Sequence, residues 1–234
     1  MRRTTISDIW AILHGPFRVI VIGKFLDAIG NGMTLSLLVV YLSQVRGFTI
    51  LTASLVLTWM AIAGLLITPM TGSLTDRFGP RPVMLVAIII QATGIALLAF
   101  CTTVPAAFAI ATLMSVGGSG VWGPMNTLIA QVVPSEKRST AFAVNFMMLN
   151  LGLGLGGLVG ASIVDVSRPQ TFTLLYLMDA ATYLALFVAV ASLRGLGGPV
   201  TEDKDDIEER GGWGVVIRDR RLLGLVVASL VMLT

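Results

Sequence analysis

Asp27 is the residue whose type and surroundings most call for a chemical explanation. It lies about nine residues, hence about 13 Å at 1.5 Å per residue, inside a long apolar stretch. A charge at that depth costs about 3 kcal/mol on insertion scales, so it must face protein or water. Lys24, Asp27, Asn31 and Thr34 recur at i, i+3, i+7 and i+10, which places them on one polar stripe of a helix. Two chemistries fit. Asp27 either titrates, or pairs with a cationic substrate; alternatively it forms a structural pair with Lys24, whose stem snorkels toward the aqueous side. A second polar stripe runs through Ser115, Ser119, Trp122 and Asn126. Asp179 shares a helical face with Tyr176 and Tyr183.

The elements that must carry these residues are membrane spans. Apolar residues make up 55% of the 234 and charged residues 12%, about half the charge of an ordinary soluble domain; mean hydropathy is +0.88. Runs of about 20 apolar residues cross a bilayer as helices, because only a helix satisfies its own backbone in lipid. They predict spans at 18–42, 51–71, 82–101, 106–132, 139–164 and 172–193, with a seventh beginning at Leu222 and stopping at Thr234. Thirteen residues reach only about 20 Å, so a truncated seventh helix is expected over 222–234. Residues 1–17 read as a cytoplasmic tail in which Ile6, Ile9, Trp10 and Leu13 form the apolar face of a short interfacial helix. Residues 18–193 form the six-helix bundle. Residues 194–221, rich in glycine and carrying the acidic run from Glu202 to Glu209, form a linker that cannot bury a core of its own.

Positive charge sets the orientation. Arg2, Arg3, Arg18, Arg77, Arg81, Lys137, Arg138, Arg194, Lys204, Arg210, Arg218, Arg220 and Arg221 fall on one side, against Arg46 and Arg168 on the other. That bias puts the N-terminus in the cytoplasm of a multi-pass protein, with the plasma (inner) membrane as the expected location. The net charge of +3 is spread over span ends, which gives no nucleic-acid surface. Cys101 is the only cysteine, so no intrachain disulfide can form. No metal-ligand cluster, cofactor motif or phosphate-binding loop for ATP occurs.

The stretch GSLTDRFGPR, from Gly72 to Arg81, is read as a short polar loop between the second and third spans. It resembles the signature loop of the major facilitator superfamily, G-x-x-x-D-[R/K]-x-G-x-[R/K], matched by Gly72, Asp76, Arg77, Gly79 and Arg81. The resemblance implies an all-α polytopic membrane fold: a six-helix N-terminal bundle built of two inverted three-helix repeats, plus the start of a seventh helix. Gly30-Asn31-Gly32 in the first helix and Gly118-Ser119-Gly120 in the fourth give that repetition faint support. The resemblance further implies alternating access, with Asp76 latching the outward-open state against the N-terminal end of a helix in the other half of the protein. Arg77 and Arg81 would join that charge cluster. Helices one and four would line a central cavity, so Asp27, Asn31 and Thr34 would face Ser119, Trp122 and Asn126 across a small amphipathic or drug-like substrate. Helix six would be peripheral and Asp179 a structural aspartate. The implied partners are the lipid bilayer, a small-molecule substrate, a proton or other coupling ion, and the C-terminal half of the same protein.

Two features complicate export by proton exchange. Gly152, Gly156 and Gly160 match the superfamily's antiporter motif, but Gly157 stands where its proline belongs; the same spacing also serves plain helix packing. No arginine lies near Met114, where the family's membrane-embedded arginine would be expected. Rival readings are a half-size protein that works as a homodimer or structural partner, and a rhomboid-like serine protease built on Gly117-Gly118-Ser119-Gly120. The protease needs a base beside the serine, and the one histidine, His14, precedes the first span. An enzyme is not expected.

Overall fold

Proline and threonine mark the helix starts, and a computed structural model describing residues 13–199 follows them closely. Helix α1 spans Gly15–Val40, with Pro16 in its first turn, and runs on through a π-helical turn at Tyr41–Val45. Helix α2, Ile50–Phe78, opens with the Thr49 side chain accepting from the Thr52 amide at 3.1 Å. Helix α3 spans Pro80–Leu98 with proline in its first turn. Helix α4, Val104–Val132, is capped by Thr103. Helix α5, Arg138–Ile163, follows a 3-10 turn at Ser135–Lys137, and helix α6, Pro169–Ser192, again has proline in its first turn. The pattern is physical: proline lacks the amide that the first turn leaves unpaired, and threonine supplies an acceptor for one that is present. All six helices are long and apolar enough to cross a membrane.

The chain from Gly72 to Phe78, expected as loop, is the last two turns of α2. Loss of hydropathy marks where a helix leaves the apolar layer, not where its hydrogen bonding stops. Only Gly79 breaks the rod, at a φ of +87°, a conformation that favours glycine. The linker from residue 200 onward, the seventh-helix stretch 222–234 and Ile6, Ile9 and Trp10 of the interfacial stripe lie outside the described residues; its last member, Leu13, packs against the core.

Packing between helices follows a swap of α1 with α4, α2 with α5 and α3 with α6. Helix α1 packs mainly on α5 and α6, and α4 packs mainly on α2 and α3. Helices α3 and α6, partners in that swap, pack on each other, while α1 and α4 scarcely touch. That is the arrangement of two inverted three-helix units, and it leaves a space between α1 and α4. The α1–α5 seam is backbone on backbone: a Cβ at Gly152 would lie 2.6 Å from the Cβ of Ala28, and one at Gly156 would run into the Ile29 carbonyl. Gly32 faces the Leu153 backbone in the same way. Small residues are what permit such approach in a membrane, where no hydrophobic force drives helices together.

Candidate functional site

The space between α1 and α4 is a cavity of about 520 Å³. Asn31 and Thr34 reach it from α1, Gly64 and Thr68 from α2, Gln91 from α3, Ser115, Ser119 and Trp122 from α4, and Asp179 from α6. Its exposed surface is chiefly apolar; polar side chains reach it from several helices, and its one charged residue, Asp179, comes from α6. Four expected substrate residues, Asn31, Thr34, Ser119 and Trp122, thus share one cavity. Asn126 is exposed but outside its lining, and Asp27 is fully buried behind it.

Asp27 is occupied. Lys24 Nζ donates to its Oδ2 at 2.5 Å, one helical turn away, and both residues are buried. Lys24 does not snorkel: its ammonium also lies 5.4 Å from the centre of the Trp122 ring, so it bridges α1 to α4. A cation over an indole face gains from the ring quadrupole, more so when desolvated. The other carboxylate oxygen, Asp27 Oδ1, has no hydrogen-bond partner among the described residues.

Asp179 is the residue the sequence placed least well. Its carboxylate accepts from the Thr34 and Thr182 hydroxyls, is fully buried as a residue and lines the cavity. The family resemblance implies a structural role on a peripheral helix; α6 instead packs on α1 and contributes directly to the central wall. Gly30 is what lets it in, since a Cβ there would collide with Asp179 Oδ1 and the Thr182 hydroxyl. Alongside, Asn31 Nδ2 donates to the Tyr183 hydroxyl at 3.2 Å. A face shared by one aspartate and two tyrosines, Tyr176 and Tyr183, is the only sequence signal for this part of the wall.

On α4, the Ser115 hydroxyl donates to the Met60 carbonyl at 2.9 Å and the Ser119 hydroxyl to the Gly64 carbonyl at 3.2 Å. Ser119 therefore stitches α4 to α2, with no histidine beside it; His14 immediately precedes α1 and its side chain makes no capping hydrogen bond. Gln91 approaches α4 where Gly117 leaves room, its backbone and Cβ lying within 2.7 Å of the position a Gly117 side chain would take. Gln91 Oε1 is buried without a hydrogen-bond partner among the described residues.

The charged motif at the end of α2 divides in two. Gly72, Asp76 and Arg77 are exposed, and neither charge forms an ion pair among the described residues. Nothing lies within 4 Å of the position a Gly72 side chain would take. Arg81 turns inward: its guanidinium donates to the Val190 carbonyl at 3.2 Å and to that of Ala191 at 2.8 Å, capping the C-terminal end of α6. Its amide donates to Gly197 O at 3.1 Å. Gly79 is packed against the Gly197–Pro199 backbone, which a Cβ would strike. Of the glycines in α5, Gly152, Gly156 and Gly160 face α1, and Gly157 does too, with the Ser36 hydroxyl 3.2 Å from its Cβ position. Cys101 sits in the α3–α4 connection, where burial pushes its thiol up and away from the reactive thiolate. No group of histidine, cysteine and carboxylate side chains that could hold a metal occurs among the described residues.

A family model described as Major Facilitator Superfamily matches residues 20–234. A Na(+), Li(+), K(+)/H(+) antiporter of Planococcus maritimus is 25% identical over 228 residues, covering 91% of this chain and 53% of its own length. The quinolone resistance protein NorA of Staphylococcus aureus (strain MRSA252) is 28% identical over 170 residues, 71% of this chain and 42% of that protein. Among solved structures, a POT family transporter in complex with a thioalcohol-conjugated peptide superposes with a TM-score of 0.70 at 15% identity, over 92% of this chain and 46% of the transporter. The chain spans about half the length of the curated relatives it matches.

Proposed function

The chain belongs to the Major Facilitator Superfamily, and from that premise we propose that it forms one wall of a secondary transporter exporting small amphipathic or drug-like compounds with an ion gradient. The observation that carries this reading is the cavity of about 520 Å³ between α1 and α4, apolar over most of its surface and charged on one side. An apolar site with a few convergent polar groups suits a drug-sized ligand. Trp122 offers a face for stacking, Asn31, Thr34 and Ser119 offer hydrogen bonds, and Asn126 extends the polar stripe beyond the cavity. The names of two relatives, a quinolone resistance protein and a cation/proton antiporter, point the same way.

Alternating access is the mechanism that goes with this reading. A second helical bundle, the C-terminal half expected from the superfamily, closes the open side of the cavity, and the two rock about it. Asp76 and Arg77, exposed at the end of α2, are available to latch that partner, and Gly72 gives it a side-chain-free surface to approach. The excess of basic residues on the side carrying Arg18, Arg81 and Arg138 supports a cytoplasmic N-terminus, and the plasma (inner) membrane is the location that goes with this reading.

The test is transport by the full-length protein in everted membrane vesicles energised by an imposed pH gradient. Ethidium, a flat amphiphilic cation, should accumulate in the vesicles, and Trp122→Ala should reduce uptake without loss of protein from the membrane. Uptake no greater than in vesicles lacking the protein would refute the reading. In the same vesicles Asp27→Asn, with an unchanged rate and pH profile, would assign Asp27 a structural role beside Lys24.

A further inference from the structure

Between Arg18 and the end of α6, the interiors of the six helices carry three charged side chains: Lys24, Asp27 and Asp179. Helix α4 has none, α3 and α5 have only Arg81 and Arg138 in their first turns, and the charges of α2, Asp76 and Arg77, lie in its last turn. Two carboxylates and one ammonium are therefore buried at the centre of the bundle. Lys24 is committed to Asp27. Asp179 forms no ion pair among the described residues; its partners are the hydroxyls of Thr34 and Thr182. A single uncompensated carboxylate in an apolar interior is expensive, and it is relieved by a proton or by a cation arriving in the cavity it lines.

Packing alone does not ask for an acid at this place. Asp179 lies ten residues after Pro169 at the start of α6 (179 − 169), and Gln91 lies eleven after Pro80 at the start of α3 (91 − 80). Both sit against glycines of the opposing helix, Asp179 at Gly30 and Gln91 at Gly117, and both line the cavity. The second seam is thus filled by a neutral amide. The charge at Asp179 is a feature added to a packing position that does without one.

We infer that Asp179 is the proton-carrying group of this bundle: its carboxyl takes up a proton when the cavity holds no cation and releases it to water when a cationic amphiphile settles beside it. The inference rests on the transporter reading above and names the coupling group within it. The step balances, since one proton leaves the Asp179 oxygen as one positive charge arrives. The charged groups that face Asp179 are Lys24 and Asp27, both from α1; Tyr176 and Tyr183 flank it on α6, α3 presents the neutral Gln91, and α5 presents no charge at this depth. The Lys24–Asp27 pair, internally neutral, acts as a fixed anchor rather than as the carrier.

The decisive measurement needs no cargo. Infrared difference spectra of the purified full-length protein, recorded across pH steps from about 9 down to about 6, above the range in which exposed carboxyls take up protons, should show the carbonyl stretch of a protonated carboxylic acid appearing on acidification. That band should persist in the double variant Lys24→Gln/Asp27→Asn, which removes the pair without stranding a charge, and vanish in Asp179→Asn. A band that survives Asp179→Asn, or one that disappears only when Asp27 is replaced, overturns the assignment. Ethidium then tests the exchange: in weakly buffered solution the unaltered protein should release about one proton per ethidium bound, and Asp179→Asn should bind ethidium and release none. A titrating band that follows Asp179, with no ethidium bound by the unaltered protein, would confirm the proton site while refuting the cationic cargo.

Discussion

The seam between α1 and α6 and the seam between α4 and α3 occupy equivalent places in the two halves of the bundle, yet they are filled differently. Both rest on a glycine in the inner helix that admits a polar side chain from the outer one. In the α4–α3 seam that side chain is Gln91, and its neighbours Ser115 and Ser119 donate to carbonyls of α2. In the α1–α6 seam it is Asp179, backed by the buried Lys24–Asp27 pair. The shared packing shows what the fold demands: small residues at the crossing and a polar group that can be satisfied there. The charges belong to one seam alone, so they are not required by the fold and are the part of the site to test for function.

The strongest way to break the contrast is to unbalance the charged seam. Lys24→Met leaves Asp27 buried without a counter-ion and should cost about 3–5 kcal/mol, read as a lower unfolding temperature in detergent; Lys24→Met/Asp27→Asn should recover most of it. Equal losses in single and double variants would show that the pair does not act as a unit. Next, the two inner helices differ in how closely their partners approach. Gly156→Val would drive a side chain into the Ile29 carbonyl and should cost about 2–3 kcal/mol. Gly64→Val meets only the Ser119 hydroxyl, 3.8 Å from its Cβ position, and should be tolerated; similar effects at both sites would remove the distinction. Thr34→Val deletes a hydroxyl that serves a carboxylate and should cost about 2 kcal/mol. Ser115→Ala deletes one that serves neutral carbonyls and should cost about 1 kcal/mol. Equal losses at the two positions would show that the seams do not differ in the strength of their polar contacts.

Much of the fold is legible in the chain itself. Apolar runs separated by proline, glycine and charge locate six spans, because lipid forces every span to satisfy its own backbone. The ends are less legible. The stretch Gly72–Arg81 reads as a loop from its polarity, but its first seven residues continue α2, since a helix keeps its hydrogen bonds after it leaves the apolar layer. Within the site, the spacing of Lys24, Asp27, Asn31 and Thr34 places all four on one side of α1, and the Ser119–Trp122 stripe on one side of α4. It does not show that Lys24 binds Asp27 and leaves the cavity to others. Nor does it separate Arg81, which caps α6, from Arg77, which stays exposed.

The sequence by itself determined that this chain makes six membrane-crossing helices with few buried charges, because composition and run length decide between lipid and water one residue at a time. It also marked one face of α5 for close helix packing, since glycines four apart leave a smooth helical surface wherever they occur; that α1 lies against it came from the structure. Only the tertiary structure decided which buried acid is paired and which is open. Asp27 and Asp179 are 152 residues apart (179 − 27) and look alike in an apolar run. What distinguishes them is the neighbour each meets: an ammonium one turn away on its own helix for Asp27, two hydroxyls and the cavity wall for Asp179. The cost of a buried charge is set by whatever lies within a few ångströms of it, and that is a property of packing between helices that no single run of sequence contains.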